Sequence, residues 1–493
     1  MGWQASGRAA RAVAARCGAW RARPRRCAVQ PVARGCHPRR PPCGLGTGRA
    51  RRVPGAAQER PGLAAARAGG CRHTACPQWR RRLRADDRIG GWRSPGPVSD
   101  APIFLNHLGI VCALGGDIAS VRTALFRDDA PGGVAVDDTL VPGHALALGK
   151  VADGLPSLDH HPVQLRGRNN ALLRAAYLQI HDPVQQAIER YSPARVAIVV
   201  GTSTSGIGEA ERAMAHWQQH RGWPAGFHYV QQEIGAPSRF LAAESGARGP
   251  AWTISTACSS SAKAMASAAR LLRAGLVDAV ITGGADSLCE FTVRGFMALE
   301  SVSAERCNPF SAHRHGINIG EGASLFLMTR APGAVRLAGW GETADAHHIS
   351  APEPQGIGAI EAIRLALARA GLSPAQIDYV NLHGTATPQN DAMESRAVTT
   401  ALGGAVPVSS TKPLTGHTLG AAGAVEAGIC WLAMTDNPEH RLPPHWWDGA
   451  SDPTLPPLAF VAPGDRANGP LRHVLSQSFA FGGSNAVLVF GGE

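Results

Sequence analysis

A chain of 493 residues with 44% hydrophobic residues is long enough to bury a sizeable core. Its formal charge of +12 suggests an acidic partner until it is divided: residues 1–100 hold 22 Arg, no Lys and 4 acidic residues, and the remainder holds 27 basic and 33 acidic residues. The positive excess belongs to the N-terminal stretch, so the rest lacks the clustered basic footprint of a nucleic-acid-binding protein.

Residues 1–98 are rich in Arg, Gly and Pro and hold six of the eleven cysteines at irregular spacing. Such a composition cannot bury a core, and Gly and Pro interrupt every amphipathic helix a transit peptide would need. This extension is expected to be disordered or not part of the native domain. No metal is expected there, since Cys71 and Cys76 lack the spacing of a zinc knuckle. Cys112, Cys258, Cys289, Cys307 and Cys430 are widely separated, the pattern of a reduced cytoplasmic enzyme rather than of a disulfide framework. No run of 18 apolar residues occurs, so no membrane span is expected.

From Ala101 onward, apolar runs alternate with helical patterns, which predicts an α/β fold. Strands are predicted at Ile103–Leu114, Arg195–Gly201, Ala251–Thr256 and Val277–Gly283, with a loop over Thr202–Gly208 and an Ala-rich helix at about Ser259–Ala274. Farther on, a helix is predicted at Ile360–Ala370, strands at Asp378–Leu382 and Val406–Ser410, and a small-residue helix over Leu419–Met434. Two strands, His473–Phe479 and Ala486–Phe490, frame a Gly-rich turn. The stretches 254–272 and 408–432 both read as strand, Ser/Thr-rich turn and Ala-rich helix, which hints at an internal duplication.

Cys258 stands where a strand meets a helix, so its thiol faces the positive end of a helix dipole, a setting that favours thiolate. A buried apolar cysteine is the alternative, and residue type alone leaves both open. His383 ends a strand in His-Gly-Thr-Ala-Thr-Pro, at a loop edge where functional groups gather; a turn histidine bonded to its own backbone is the bland alternative. Lys412 and His417 precede the last long helix, and Glu426 lies nine residues beyond His417 on it. A Lys near a Glu reads as a structural ion pair, so Lys412 is assigned an orienting role. Phe479–Asn485 offers backbone N–H groups suited to an oxyanion hole. Lys263, His347 and His348 are assigned to pocket walls or solvated faces, and Trp446 and Trp447 to surface-loop anchoring.

Five motifs stand in one order over about residues 101–493: Thr256 to Ser261, Asn308-Pro309-Phe310 with Gly320 to Ala323, His383 to Pro388, Lys412 to His417 with Gly420 to Glu426, and Phe481 to Asn485. In these the chain resembles the elongating β-ketoacyl-acyl-carrier-protein synthases of types I and II and the ketosynthases of polyketide assembly. The resemblance implies a duplicated thiolase-like fold with five αβαβα layers. Residues 101–335 would form the half carrying the cysteine and 336–493 the half carrying both histidines. It implies acyl transfer to Cys258, His383 and His417 as neutral donors to a malonyl thioester, and Lys412 and Glu426 as supporting residues. Backbone N–H groups of Cys258 and Phe481 would form the oxyanion hole, with Phe481 gating access. Thr385 and Thr387 match pantetheine-binding positions, and Ile207 and Phe296 match acyl-pocket positions. It implies no metal and no cofactor beyond the phosphopantetheine of an acyl carrier protein, and a dimer with an identical or ketosynthase-like partner.

The chain departs from the family pattern in places. Ser259-Ser260-Ser261 resembles polyketide ketosynthases, Lys263 is atypical, and Asn308–Phe326 resembles ketosynthases of aryl-polyene pigment clusters. A thiolase would need a second cysteine where Ser484 stands, and a starter-type synthase would pair its cysteine with His and Asn. A non-catalytic chain-length subunit is disfavoured by the presence of Cys258 with both histidines. The expectation is a standalone condensing enzyme of fatty-acid or polyketide and polyene synthesis. Removing residues 1–98 is expected to leave a soluble, active protein, measured by circular dichroism and turnover; loss of folding would make the extension structural.

Overall fold

The computed structural model describes residues 101–152 and 154–492, so the expectation for residues 1–98 lies outside the described part. The first half runs β1 (Phe104–Cys112), α1 (Arg168–Leu178), β2 (Val196–Gly201), α2 (Ile207–His220), α3 (Ala236–Ser245), β3 (Ala251–Ile254), α4 (Ser260–Arg273), β4 (Ala279–Asp286), α5 (Glu290–Ala298) and β5 (Gly322–Thr329). The second runs β6 (Val335–Ala344), α6 (Ile357–Ala370), β7 (Tyr379–Asn381), α7 (Pro388–Leu402), β8 (Pro407–Ser409), α8 (Ala422–Met434), β9 (Ala459–Phe460), β10 (His473–Ala480) and β11 (Ser484–Gly492).

Hydrogen bonding orders the strands β3-β2-β4-β5-β1 in the first half and β8-β7-β10-β11-β6 in the second, with β9 added beyond β8. The pairings repeat in kind as well as order. In each half two parallel pairs precede two antiparallel ones. The halves meet where Phe104 of β1 lies opposite Arg336 of β6. Helices α1 and α3 cover one outer face and α6 and α7 the other. Between the sheets lie α4 and α8, which touch each other and strands of both halves. The result is the five-layered, duplicated α/β architecture that the resemblance implies.

The elements follow from the side chains. Strands β4 and β5 are buried along their whole length, so they show no polar alternation. Ala-rich α4 buries Ala262, Ala264, Met265, Ala266, Ala268, Ala269 and Leu272, as a helix sandwiched between sheets must. Predicted and observed ends differ by a few residues. Sequence reading did not separate β5, β6, β9, α1, α2, α3, α5 or α7, and α2 begins inside the predicted Thr202–Gly208 loop. The predicted start at Leu419 is a short 3-10 turn, Leu419–Ala421, ahead of α8. Trp446 and Trp447 lie in a loop and hold it as anchors do, half-buried, Trp446 against the central core and Trp447 5.0 Å from the Phe460 ring.

Each half opens on a strand that carries a glycine at a close approach. A Cβ on Gly109 of β1 would lie 1.9 Å from the Ala176 carbonyl oxygen of α1, and one on Gly341 of β6 would lie 1.8 Å from that of Ala362 in α6. The backbones of the outer helices therefore rest on bare strand. Gly109→Val and Gly341→Val are each expected to cost about 2–3 kcal/mol of stability or to prevent folding, measured by urea denaturation.

Candidate active site

The turn between β3 and α4 presents Cys258. Ala257 adopts a φ of 50°, in the left-handed region, and the hydroxyls around it hold the turn. Ser260 Oγ accepts the Thr256 N–H at 2.8 Å and donates to the Ala257 carbonyl at 2.6 Å. Ser259 Oγ donates to the Thr256 carbonyl at 2.8 Å. Ser261 Oγ accepts the Ala424 N–H of α8 at 2.9 Å. The run of three serines thus fixes the nucleophile turn and joins it to the other half.

His417 follows the single helical turn Lys412–Thr415 and left-handed Gly416. Its Nε2 lies 3.1 Å from Cys258 Sγ, and its Nδ1 accepts the Leu419 N–H at 3.3 Å. That acceptor role places the ring proton on Nε2, facing the sulfur. His383 extends from the end of β7, with its ring 5.2 Å from that of His417 and nearly perpendicular. Its Nδ1 lies 3.5 Å from Lys412 Nζ, which also pairs with buried Glu426. An amine donor at Nδ1 leaves the His383 proton on Nε2 as well.

Burial governs the charge states. Burial, then Lys412, holds both His383 and His417 well below the usual histidine range, so both rings are neutral. Burial pushes the Cys258 thiol up to about 11, against the pull of Lys412 and of the backbone N–H groups of Phe481 and Cys258 that donate toward the sulfur. The sequence-based expectation of a favoured thiolate meets an opposing effect here, because desolvation outweighs Lys412 and the backbone N–H groups. Glu426 is raised to about 7 by burial, against Lys412. One nitrogen or sulfur each of Cys258, His383 and His417 lies within 4.8 Å of the others, close enough to share a soft metal ion, and His160, His161 and Glu244 form a second such group.

Two chambers open beside Cys258. One, of about 620 Å³, is lined by His383, His417, Thr385, Thr387, Asn390 and Asp345 among others. The other, of about 940 Å³, is lined chiefly by apolar groups, including Ile207, Phe291, Phe296, Leu299 and Leu419. Cys258, Phe296 and Phe481 border both chambers, and the two phenylalanine rings lie 5.6 Å apart. All the residues singled out from the sequence therefore border one chamber or the other, except Lys412 and Glu426, which lie behind the histidines. Of the residues set aside, His347 and His348 are exposed.

Sequence reading missed the acids that hold the site. Glu394 accepts the backbone N–H groups of His383 at 2.6 Å and Gly384 at 2.7 Å, and Asp391 accepts those of Phe310 at 2.7 Å and Ala386 at 3.2 Å. Burial raises Glu394 to about 8 and Asp391 to about 6. Asp286 accepts from Thr202 Oγ1 and from the N–H groups of Ser203, Thr204 and Gly420, which ties the loop after β2 to the approach to α8. Pro388 at the start of α7 was the available signal for the Asn390-Asp391-Glu394 face.

Family models described as the N-terminal and the C-terminal domain of beta-ketoacyl synthase match residues 172–334 and 334–444. The 3-oxoacyl-[acyl-carrier-protein] synthase 2 of Staphylococcus aureus is 35% identical over 262 residues, 50% of this chain and 64% of that protein, so the match spans less than two thirds of that relative. Nodulation protein E of Rhizobium meliloti is 31% identical over 409 residues, 79% of this chain and 99% of that protein. A ketosynthase solved in complex with its chain length factor, from Xenorhabdus doucetiae, is similar with a TM-score of 0.75 and 44% identity, over 80% of this chain and 98% of that one.

Glu426, Glu394 and the Cys258 thiol are acids whose native pKa lies above the value of an unfolded chain. The native state therefore holds more protons, and the stability linked to them is present at lower pH and lost as pH rises through the native values. Lys263, lowered by burial, opposes them. Stability measured by urea denaturation is expected to fall between about pH 7 and 8, as Glu394 loses its proton, and again above about pH 9, as the buried thiol does. A flat or rising profile would contradict these charge states.

Proposed function

Because the chain belongs to the β-ketoacyl synthase family, we propose that it condenses an acyl thioester, held on Cys258, with a malonyl thioester carried on an acyl carrier protein. The observation that carries this reading is the buried arrangement of Cys258 with two neutral imidazoles, each with its Nε2–H free of a carboxylate partner.

In the first half-reaction Cys258 attacks the acyl thioester, the new C–S bond replaces the old one, and the pantetheine thiol leaves with the proton. The N–H groups of Cys258 and Phe481 stabilise the oxyanion formed on the way. In the second, the malonyl thioester carbonyl lies against His383 and His417. Loss of carbon dioxide puts negative charge on that oxygen, and donors already fixed in place lower the barrier. The resulting carbanion attacks the acyl carbonyl, a C–C bond forms, and the C–S bond to Cys258 breaks to release the thiolate, which takes up one proton from water to restore the thiol. Lys412, held by Glu426, fixes the tautomer of His383.

Thr385 and Thr387 line the histidine side of the site and suit the pantetheine arm, whereas Ile207 and Phe296 border the apolar chamber and suit the acyl chain. Phe291, Phe296 and Phe481 give that chamber aromatic walls, which favour a flat, conjugated chain over a saturated one. This supports polyketide or polyene synthesis, in keeping with the resemblance of Asn308–Phe326. The partners in this reading are an acyl carrier protein and a second ketosynthase-like subunit, identical or of the chain-length kind; the Xenorhabdus doucetiae relative is described with its chain length factor. No cofactor enters beyond the carrier's phosphopantetheine. Among the described residues, the five free, buried cysteines suit a reducing cytoplasm.

The test is mass spectrometry of carrier-bound products after mixing the protein with malonyl-carrier and a panel of acyl-carriers. Two-carbon extension with acyl label on Cys258 is expected, and Cys258→Ala is expected to abolish both. Unaltered turnover in that variant would refute the nucleophile. Neither label nor product across the panel would leave a non-catalytic shaping subunit as the better reading.

A further inference from the structure

The Gly-rich turn that brings the Phe481 N–H to the sulfur is weakly built by itself. Gly482 and Gly483 both take left-handed conformations, with φ of 80° and 74°, and glycines there leave the backbone free to swing. The turn depends on ties at its ends. One set comes from its own half: the Gly482 N–H donates to the Ile349 carbonyl and the Asp345 N–H to the Gly483 carbonyl, both at 2.8 Å. The other set comes from the opposite half. Lys263, on the helix that starts two residues after Cys258, donates from Nζ to Ser484 Oγ at 2.6 Å. Ser259, adjacent to Cys258, has its Oγ 3.0 Å from the same oxygen.

We infer that Lys263 is a positioning residue that ties the Phe481 turn to the helix of Cys258 and so sets how strongly the Phe481 N–H acts on the sulfur. Ser484 Oγ accepts from Lys263 Nζ, and Ser259 Oγ directs its one hydrogen to Ser484 Oγ or to the Thr256 carbonyl, so this relay joins Lys263 to the nucleophile turn. Because the relay ends on the nucleophile turn itself, a shift of Ser484 moves the Phe481 N–H relative to the sulfur. An ordinary surface ion pair does not account for Lys263. Lys263 is half-buried, and Glu342, the acid whose charge acts on it, is paired with Arg270. The inference rests on the proposed function only for turnover, since the tie from Lys263 to Ser484 exists in the resting protein.

The test uses the full chain and alkylation of Cys258 by iodoacetamide across pH, read by mass spectrometry of the Cys258 peptide. The groups facing the sulfur are Lys412, Glu426, His417 and His383, and those facing Lys263 are Glu342 and Arg270; no variant alters them. Lys263→Met is expected to slow alkylation about tenfold at a fixed pH below the thiol's own value, and to move the profile to higher pH, since the Phe481 N–H is no longer held toward the thiolate. Lys263→Arg keeps a donor and is expected to recover most of the rate. Ser484→Ala is expected to match Lys263→Met, with the double variant no slower than either. An unchanged profile in folded Lys263→Met, or strictly additive losses in the double variant, would overturn the inference. If Lys263→Met does not fold, Ser484→Ala gives the same reading from the acceptor side. In turnover, acyl transfer to Cys258 should fall while decarboxylation of malonyl-carrier holds. A wild-type protein that does neither counts against the proposed function and leaves the alkylation profile to decide the role of Lys263.

Discussion

The site depends on how closely two helices can approach. Cys258 comes from one half of the duplicated fold and both histidines from the other, so the sulfur meets His417 only if α4 and α8 pack backbone to backbone. A Cβ on Gly423 would lie 2.8 Å from the Ala262 Cβ and 3.0 Å from the Ala262 nitrogen, and one on Gly420 would lie 2.5 Å from the Ser203 nitrogen. On the other face of α4, a Cβ on Gly201 would lie 2.3 Å from the Ser261 nitrogen. Each contact tolerates only a hydrogen where a side chain would stand. The small residues around the nucleophile are therefore a packing requirement, with catalytic geometry as the result.

Dryness is the second consequence of that packing. Excluding water from the seam neutralises the imidazoles, lifts the thiol to about 11 and leaves the Lys412–Glu426 pair as the buried charge beside them. One cause thus prepares two donors and quiets one nucleophile. The quieting is partly offset at the sulfur by N–H groups from both halves. A thiol in this state attacks only where a thioester carbonyl and its oxyanion donors are already aligned, which suits transfer between carriers over reaction with stray electrophiles.

Much of this was legible in the sequence where a residue type carries its own meaning. A cysteine between strand and helix, a histidine before Gly and Pro, and a Lys-to-His run before a small-residue helix each pointed to a local geometry that the fold contains. The duplication was faintly legible, because only 254–272 and 408–432 kept a common pattern, whereas the full repeat lies in strand order. Strand β5 escaped although it is buried like the predicted β4, and α7 escaped because Thr387-Pro388 reads as a loop until the rest of its helix is seen. Glu394, Asp391 and Asp286 escaped for a deeper reason. Acids in a sequence look solvated, and only the three-dimensional fold shows that their partners are main-chain N–H groups. The thiolate expectation fell short in the same way, since a helix terminus is visible in sequence but desolvation is not.

The Leu419 N–H that faces His417 belongs to a residue in the left-handed region, with φ of 50°. A histidine steered by a carboxylate inherits that partner's titration and its sensitivity to salt. One steered by a peptide amide inherits neither, because the amide does not ionise. The orientation of the His417 proton is thus written into the main chain, and changes of acidity or ionic strength that spare the fold leave it as it stands. Such a site wears out by losing its architecture, and it has no intermediate setting in which the fold survives with the proton on the wrong nitrogen.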